Sequence, residues 1–319
     1  MAMSMTKWAV TMGAVVLAAA PALQAAQLSG DARSSIPKDV QQIIVVDYRA
    51  MQNSPAAMQL KDHVLPPELK RLETALKTSG LKVDQDADTL AFAAFRTGMT
   101  SNSARILGVA QGQFQTASVM SYFTKNKIKP VMVRNNQVFP MGSSGMSVVF
   151  LNQTTMVFGD KEAVKASLDA RDGLAPNFLQ NGEMMNGMNQ VDSRAVWSLL
   201  DQKGTQTMMK SVMGTASQLA DYNTVQAAFR SSHYTMEFSN GVKFDMTVVM
   251  SDSMTAATAA TVMKGVMILK KTSGSPLEKS ALDETHVDSQ GGDLNVGYSS
   301  SDSQFASLLT SPLFQQVVK

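Results

Sequence analysis

The sequence predicts an α+β protein made of two similar halves, each with an antiparallel sheet and helices on one face. Three observations predict this class. Short apolar runs of strand length alternate along the chain with longer segments of helical period. A strand that runs into a polar-capped helix recurs, as at Gly159-Asp160. Both halves give the order strand, helix, two strands, helix, strands, helix, which indicates a duplicated unit of the ferredoxin-like, split βαβ kind.

The first 35 residues are predicted to lie outside both halves. Lys7 is the only charged residue among the first thirty, and an apolar run follows from Trp8 to Ala20. This pattern is typical of a secretory signal peptide over residues 1–25, so we expect an exported protein of the periplasm or the extracellular space. Residues 26–35 are mostly polar and are predicted to be a mobile leader. No later apolar run is long enough to span a membrane.

A segment without a sustained period divides the rest of the chain. Residues 174–190 contain turn-forming residues and two Asn-Gly pairs, which predict a linker. This linker leaves residues 36–173 as the first half and residues 191–311 as the second half, followed by a loose tail over 312–319.

The first half is predicted to begin with a central strand. The run Gln42–Asp47 is strongly apolar, which is typical of a strand covered on both faces. A helix is predicted to start at Pro66-Pro67, because a proline loses no hydrogen bond in the first turn. The half closes with two strands of alternating pattern and one buried face, then a helix capped by Asp160 that ends at Gly173. The other predicted strands are Thr89–Phe95, Ala104–Phe114, Met146–Phe150 and Thr154–Phe158, with a helix near Thr116–Thr124.

The second half contains a hairpin whose register the sequence predicts. A two-residue turn at Asn240-Gly241 would mix apolar and polar side chains on each face, so a three-residue loop, Ser239–Gly241, is expected instead. This loop sets Met236 opposite Phe244, Tyr234 opposite Met246 and Glu237 opposite Lys243. The remaining predicted elements are a helix at Ser253–Lys270, strands at Leu282–Asp288 and Leu294–Tyr298 joined at Gly291-Gly292, and a helix at Asp302–Leu309.

The composition excludes several classes of function. The chain has no cysteine, which excludes disulfides, thiol catalysis and zinc-thiolate sites. A net charge of +2 gives no reason to expect a nucleic acid partner. Methionine is abundant, with 24 residues, and most of them occupy positions where flexible apolar side chains fill a core. No cofactor is expected.

Motifs for catalysis are missing from the sequence. Its three histidines are His63, His233 and His286, and no GxSxG, HExxH or Walker-type motif is present. We expect His233 to lie across from Thr247 on the polar face of its hairpin. His286 is expected to share a strand face with Asp288, where a surface row of side chains is favoured over a metal site. Catalytic residues therefore stay unknown, although a hydrolase with a dispersed site is an alternative.

Three other clusters raise specific hypotheses. The carboxylates of Asp84, Asp86 and Asp88 have the spacing that opens a calcium loop, but the glycine and glutamate that should follow are missing, so a solvated turn is favoured. The lysines at 125, 127 and 129 are expected to be a solvated helix end. The cluster Met184, Met185 and Met188 offers thioethers that select Cu(I), which makes a copper-binding protein a further alternative, against simple packing of these side chains.

The chain resembles families of uncharacterised secreted bacterial proteins. The residues that carry the resemblance are Ile36-Pro37-Lys38-Asp39-Val40, Gly159-Asp160, Ala163-Val164 and Leu168–Arg171. The resemblance implies no activity. We therefore expect an exported, non-enzymatic binding or assembly protein of the cell envelope, whose partner is an envelope protein or peptide recognised at a sheet edge or sheet face.

Overall fold

The structure, a computed structural model, describes residues 26–64, 67–96, 104–213 and 222–311. The predicted signal peptide, the predicted tail and Pro66 lie outside these ranges. Within the described residues, twelve strands form one continuous sheet in which every pairing is antiparallel. The strands are β1 (Val40–Asp47), β2 (Ala87–Arg96), β3 (Ala104–Gly112), β4 (Val131–Val133), β5 (Asn136–Pro140), β6 (Ser147–Phe150), β7 (Thr155–Gly159), β8 (Val196–Leu200), β9 (Phe229–Glu237), β10 (Val242–Met250), β11 (Thr285–Gln290) and β12 (Asp293–Ser300).

Helices follow six of these twelve strands in the described ranges. In the described ranges they are α1 (Gly30–Ser35), α2 (Tyr48–Gln52), α3 (Pro55–Val64), α4 (Pro67–Thr78), α5 (Val83–Asp86), α6 (Thr116–Lys125), α7 (Lys161–Arg171), α8 (Gly182–Val191), α9 (Gln202–Met213), α10 (Tyr222–Ala228), α11 (Ser253–Ser273), α12 (Pro276–Asp283) and α13 (Asp302–Leu309). The predicted α+β class with antiparallel strands is confirmed.

Both halves of the sheet follow the same strand order. Counted outward from the middle, the first half runs β1-β2-β3-β7-β6 and the second runs β8-β9-β10-β12-β11, while the hairpin β5-β4 extends the first half. The repeated order agrees with a duplicated unit. The strand order within each half is not that of a ferredoxin-like unit. In a split βαβ unit, another strand lies between the two strands that the first helix connects. Here β1 is adjacent to β2, and β8 to β9.

The two halves meet through their first strands. β1 pairs with β8 from Gln42 opposite Leu200 to Val46 opposite Val196. This seam makes one sheet where the sequence suggested two. β1 is the central strand that its apolar run predicted: Ile43 and Val45 point to one face and are fully buried, and the residues that alternate with them are half-buried on the other.

Helices cover both faces of the first half. The two faces of the sheet are named here the Trp197 face and the Tyr234 face, after one residue on each. On the Trp197 face, α1, α7 and α8 pack over side chains such as Val149 and Val157. On the Tyr234 face, α4 and α6 pack over side chains such as Met156. The expectation of helices on one face is therefore wrong for this half, and β6 and β7 bury both of their faces.

In the second half, helices cover the Tyr234 face throughout, while on the Trp197 face α8 covers only β8 and the adjacent part of β9. On the Tyr234 face, α9, α10 and α11 pack against residues such as Met246, and α13 packs against Val242. By position, α13 corresponds to α7, since each follows the last strand of its half, but α7 lies on the Trp197 face and α13 on the Tyr234 face. The prediction of one covered face thus holds for β10, β11 and β12, while β8 and the adjacent part of β9 have helices on both faces.

Three segments differ from their predictions. The supposed mobile leader is ordered, because Ser29 caps α1 and the buried Trp197 donates a hydrogen bond from Nε1 to the carbonyl of Ala26 at 2.9 Å. The supposed linker over 174–190 contains a 3-10 turn and α8, and Asn181, which suggested a turn, accepts the Met184 N–H as the helix cap. The strand predicted from Leu282 begins only at Thr285, since Ser275 and Glu278 form a capping box that starts α12.

Several predictions are confirmed in detail. The β9-β10 hairpin has the expected register, with Lys243 opposite Glu237, Phe244 opposite Met236 and Met246 opposite Tyr234. Its loop glycine, Gly241, has φ +80, the left-handed conformation that the three-residue loop requires. The Asp160 cap of α7 and the whole of α13 are also as predicted.

Candidate functional site

The uncovered side of the second half is the candidate site. We call it the polar face and define it as the side chains of β9, β10, β11 and β12 on the Trp197 face. The last helix on this side, α8, packs on β8 and β9. None of the polar-face side chains belongs to a hydrophobic core cluster of the described residues. The polar face consists of Ser231, His233, Thr235, Glu237, Lys243, Asp245, Thr247, Val249, His286, Asp288, Gln290, Asp293, Asn295, Gly297 and Ser299.

One row of cross-strand neighbours shows where the cover ends. Directly paired residues across ten strands are all on the same face of the sheet. In the first half and β8 this row is entirely apolar, and beyond β8 it turns polar at Thr235 and Asp245 and ends at the edge on His286. The full row is Val149, Val157, Val109, Ala91, Val45, Trp197, Thr235, Asp245, Gly297 and His286.

The neighbouring row carries the densest set of hydrogen-bonding groups. It runs from the buried Leu199 through His233, Thr247 and Asn295 to Asp288. Thr247 Oγ1 donates a hydrogen bond to Asn295 Oδ1 at 3.1 Å. The predicted proximity of His233 and Thr247 is confirmed. This row presents an imidazole, a hydroxyl, an amide and a carboxylate side by side on adjacent strands.

The two histidines of the polar face have different surroundings. Burial lowers the pKa of His233, and the nearby Asp293 carboxylate opposes this only in part, so the fold favours the neutral imidazole. His286 is exposed, and its ring lies over Gly297 on the adjacent strand. A Cβ at Gly297 would lie 1.9 Å from the Cε1 atom of His286, so this position needs a glycine as long as the ring stays where it is.

The charges of the polar face are only partly compensated. Lys243 Nζ lies 3.0 Å from Asp245 Oδ2, and Glu237 is 3.7 Å from Arg194 at the border of the face. The side-chain carboxylates of Asp288 and Asp293 have no hydrogen bond or ion pair among the residues that the structure describes. The face therefore carries an excess of negative charge at its outer edge.

Two hollows on the described surface lie away from the histidines of the polar face. A cavity of about 10 Å³ lies between α12, β12 and α13, and an open depression of about 600 Å³ lies beside the loop at Asn240 and the start of α13. Neither is lined by His233 or His286. Within the described ranges, no three histidine, aspartate or glutamate side chains are grouped closely enough to hold a metal ion. The third histidine, His63, is on α3, which packs on the Tyr234 face.

The methionine cluster lies in the core. Met184 and Met188, one helical turn apart on α8, are 5% and 3% exposed and belong to the cluster beneath the Trp197 face of the first half. Met185 packs against the same cluster. These contacts give the three thioethers a packing role. Copper binding by them stays a prediction, and it would require part of this core to open.

Two of the three aspartates of the suggested calcium loop make separate local contacts. Asp86 accepts the backbone N–H of Lys82 at 2.8 Å and so closes the one-turn helix α5. Asp88 forms an ion pair with Arg49. The two carboxylates are thus engaged separately. The side chain of Asp84 lies outside the described residues.

Two half-buried aspartates repeat the same role in the two halves. Asp47 caps α2 after β1, and Asp201 follows β8 and accepts the Gly204 N–H in the first turn of α9 at 2.6 Å. Burial raises the pKa of both carboxyls, against the opposing effect of the backbone N–H groups that they accept. We assign them to helix capping, because each carboxylate is directed at the backbone of its own helix.

Sequence reasoning missed part of the polar face. It identified His233, His286 and Asp288 but not Asp245, Asp293 or Asn295. The signal was present in the alternation along β10 and β12, where every second residue except Val249 and Gly297 is polar, as on a strand with one solvated face. The lysines at 125, 127 and 129 are exposed as expected, at the far edge of the sheet.

Known structures resemble this chain in fold. Crystal form III of TP0453 matches with a TM-score of 0.53 and 9% sequence identity, over 87% of this chain and 96% of that chain. Crystal form I of TP0453 matches with a TM-score of 0.50 and 8% identity, over 88% of this chain and 96% of that chain. No protein-family model and no curated protein matches the chain. At these identities the likeness concerns the fold alone.

Proposed function

We propose that this protein is an exported, non-enzymatic binding or assembly protein of the bacterial cell envelope, and that it holds a partner on the polar face. The N-terminal sequence pattern supports export. Among the described helices, none combines the length and the apolar character that crossing a bilayer requires. The partner class that fits best is a protein or peptide, because neither the charge of the chain nor its motifs favour a nucleic acid.

One observation carries the proposal: the row of paired residues that changes from apolar to polar at Trp197 and Thr235. The same surface of the sheet is a packed core on one side of this point and an array of polar side chains on the other. A sheet face with polar side chains on adjacent strands offers a partner chain several direct hydrogen bonds without a pocket. The polar face has these properties, with hydrogen-bonding side chains on four adjacent strands.

The enzymatic alternative has less support. A hydrolase would need its histidine and carboxylates at a concave site that excludes water. His286 is exposed instead, and His233 is at the border of the α8 cover on a broad sheet surface. The copper alternative places its ligands, Met184 and Met188, inside a core.

Site-directed crosslinking tests the proposal directly. Because the chain has no cysteine, a single introduced thiol is a unique attachment point. A photoreactive label attached to the thiol of Thr247→Cys lies at the centre of the polar face. We expect it to capture one reproducible protein from native envelope fractions. The purified partner should then bind the wild-type chain in calorimetry.

A matched control removes the effect of chance contacts. Thr261→Cys carries the same label on an exposed position of α11, on the opposite side of the sheet. The partner should be captured from position 247 and not from position 261, and Thr235→Trp should weaken its binding by filling the face. Equal capture from both positions, or none from position 247, contradicts the proposal.

A further inference from the structure

The outer strand of the polar face is an open sheet edge. β11 pairs with β12 on one side, and no described strand pairs with it on the other. Its sequence, THVDSQ, contains neither proline nor lysine. The opposite edge, β4, has three residues and follows Lys127, Lys129 and Pro130, which are typical means of blocking strand addition. Of the two edges, β11 is therefore the one suited to accept another strand.

The hairpin geometry specifies which backbone groups of β11 are available. β11 and β12 are joined by the two-residue turn Gly291-Gly292, so Gln290 and Asp293 are the pair that closes the turn. A turn of this length closes on a hydrogen-bonded pair, and bonded and outward-facing residues then alternate along the strand. Thr285, Val287 and Ser289 therefore direct their N–H and C=O groups outward.

The side chains of β11 define the chemistry of a strand added there. On the polar face, Asp288 lies at the middle of the strand with Asp293 nearby on β12, and neither carboxylate has an ion-pair partner in the described part of the chain. On the other face, Val287 is 6% exposed and packs with Val296 in the core beneath α11. A partner strand would meet a carboxylate on one face and, on the other, the rim of the core at Val287 between Thr285 and Ser289.

We propose that β11 binds an extended peptide segment that alternates basic and apolar side chains and adds to the sheet as a further strand. Main-chain hydrogen bonds to the outward-facing residues hold the segment. Its basic side chain lies across from Asp288, and its apolar side chain extends the contact at Val287. This inference rests on the proposed function and specifies the partner's chemistry.

A defined peptide pair tests the inference. The probes are a fluorescein-labelled eight-residue peptide of alternating lysine and valine and its match of alternating glutamate and valine. We expect the lysine peptide to bind at least about fivefold more tightly in fluorescence anisotropy, and its binding to weaken with salt. Asp288→Asn should lower its affinity by about two- to fivefold, the usual size for an exposed ion pair. Asp39→Asn, at an exposed position on the other half, is the matched control and should have no effect.

A proline variant separates strand addition from simple charge attraction. Ser289→Pro removes an outward N–H and leaves the bonds to β12 in place, so the melting temperature should be kept while peptide binding is lost. Unchanged binding in Ser289→Pro or in Asp288→Asn overturns the inference. Self-association of the protein, reversed by the lysine peptide in sedimentation runs, would make a second copy the occupant and overturn it too. If position 247 captures a partner while the peptide fails, the proposed function stands and the strand addition does not.

Discussion

The two halves of this protein use the same strand order with different cover. In the first half, helices bury both faces of the sheet, and the Trp197 face there carries residues such as Val109 and Val157. In the second half, the same face carries residues such as Asp245 and Thr247 and is open. The last helix of each half accounts for part of this difference, since α7 packs on the Trp197 face and α13 on the Tyr234 face. The helices α1 and α8 account for the rest, because they also pack on the Trp197 face over the first half and β8.

The largest expected effect comes from the border between the two regions. Trp197 is fully buried and lies directly opposite Thr235 on the next strand. We expect Trp197→Ala to lower the free energy of unfolding by about 3–5 kcal/mol, because it leaves a large cavity under the cover. Thr235→Ala should change it by no more than about 0.5 kcal/mol. Urea unfolding followed by far-ultraviolet circular dichroism measures both, and equal losses would contradict the difference in cover.

Two glycines that each lie beneath a side-chain ring, one in the core and one on the polar face, provide the next comparison. A Cβ at Gly108 would lie 2.0 Å from the ring of Phe158, which is buried in the core, and a Cβ at Gly297 would meet the ring of the exposed His286. Gly108→Ala should cost about 1–3 kcal/mol, because the packed ring cannot move away. Gly297→Ala should cost less than about 1 kcal/mol, because His286 can turn into water. Thermal unfolding of the two variants tests this, and a larger loss for Gly297→Ala would mean that the His286 ring is held in place.

A pair of opposite substitutions tests the same face in each half. Val157→Thr buries a hydroxyl under α7 and should lower the free energy of unfolding by about 1–2 kcal/mol. Thr247→Val removes the hydrogen bond to Asn295 on the polar face and should change it by no more than about 0.5 kcal/mol. Chemical denaturation of the two variants side by side gives the measurement. Similar destabilisation by both would show that the polar face is covered in solution.

The smallest expected effect is a difference in pH dependence. The folded-state pKa of His233 lies below its ordinary value of 6.5, so the unfolded chain takes up the proton first. The stability linked to His233 is complete above pH 6.5 and decreases as the pH falls through the window below it. His233→Gln should remove this dependence between pH 7 and pH 5, as measured by melting temperature.

The first half should respond in a more acidic range. Burial tends to raise the pKa of Asp169, but the hydrogen bonds from Lys165 and Arg134 outweigh it and leave the pKa below its ordinary value of 3.8. The stability linked to Asp169 is therefore present above pH 3.8 and is lost as the pH falls below it. Asp169→Asn should leave the profile between pH 7 and pH 5 unchanged. A change in that window would contradict the lowered pKa of Asp169.

Local signals in the sequence predicted most of the individual elements. The register of β9 and β10 followed from keeping Met236 and Phe244 on one face, and α13 followed from its cap and apolar spacing. The errors came from polar residues with two roles. Asn181 reads as a turn residue but caps α8, and Ser275 with Glu278 forms a capping box that the strand prediction overlooked.

The face on which each helix packs could not be read from the sequence. An amphipathic helix such as α7 specifies its buried side but not the side of the sheet that it covers. Connections between antiparallel strands have no handedness rule comparable to that of parallel crossovers. The polar face could be predicted in composition, from the alternation in β10 and β12, but its exposure depends on the path of α13.

The seam between β1 and β8 has a consequence for how the chain folds. Because the chain is synthesised from its N-terminus, β1 can pair with β2 long before residues 196–200 are available to pair with the other edge of β1. Until then one of the most apolar strands in the protein, with Ile43 and Val45, keeps an unsatisfied edge. We expect such an intermediate to be prone to aggregate until the two middle strands join.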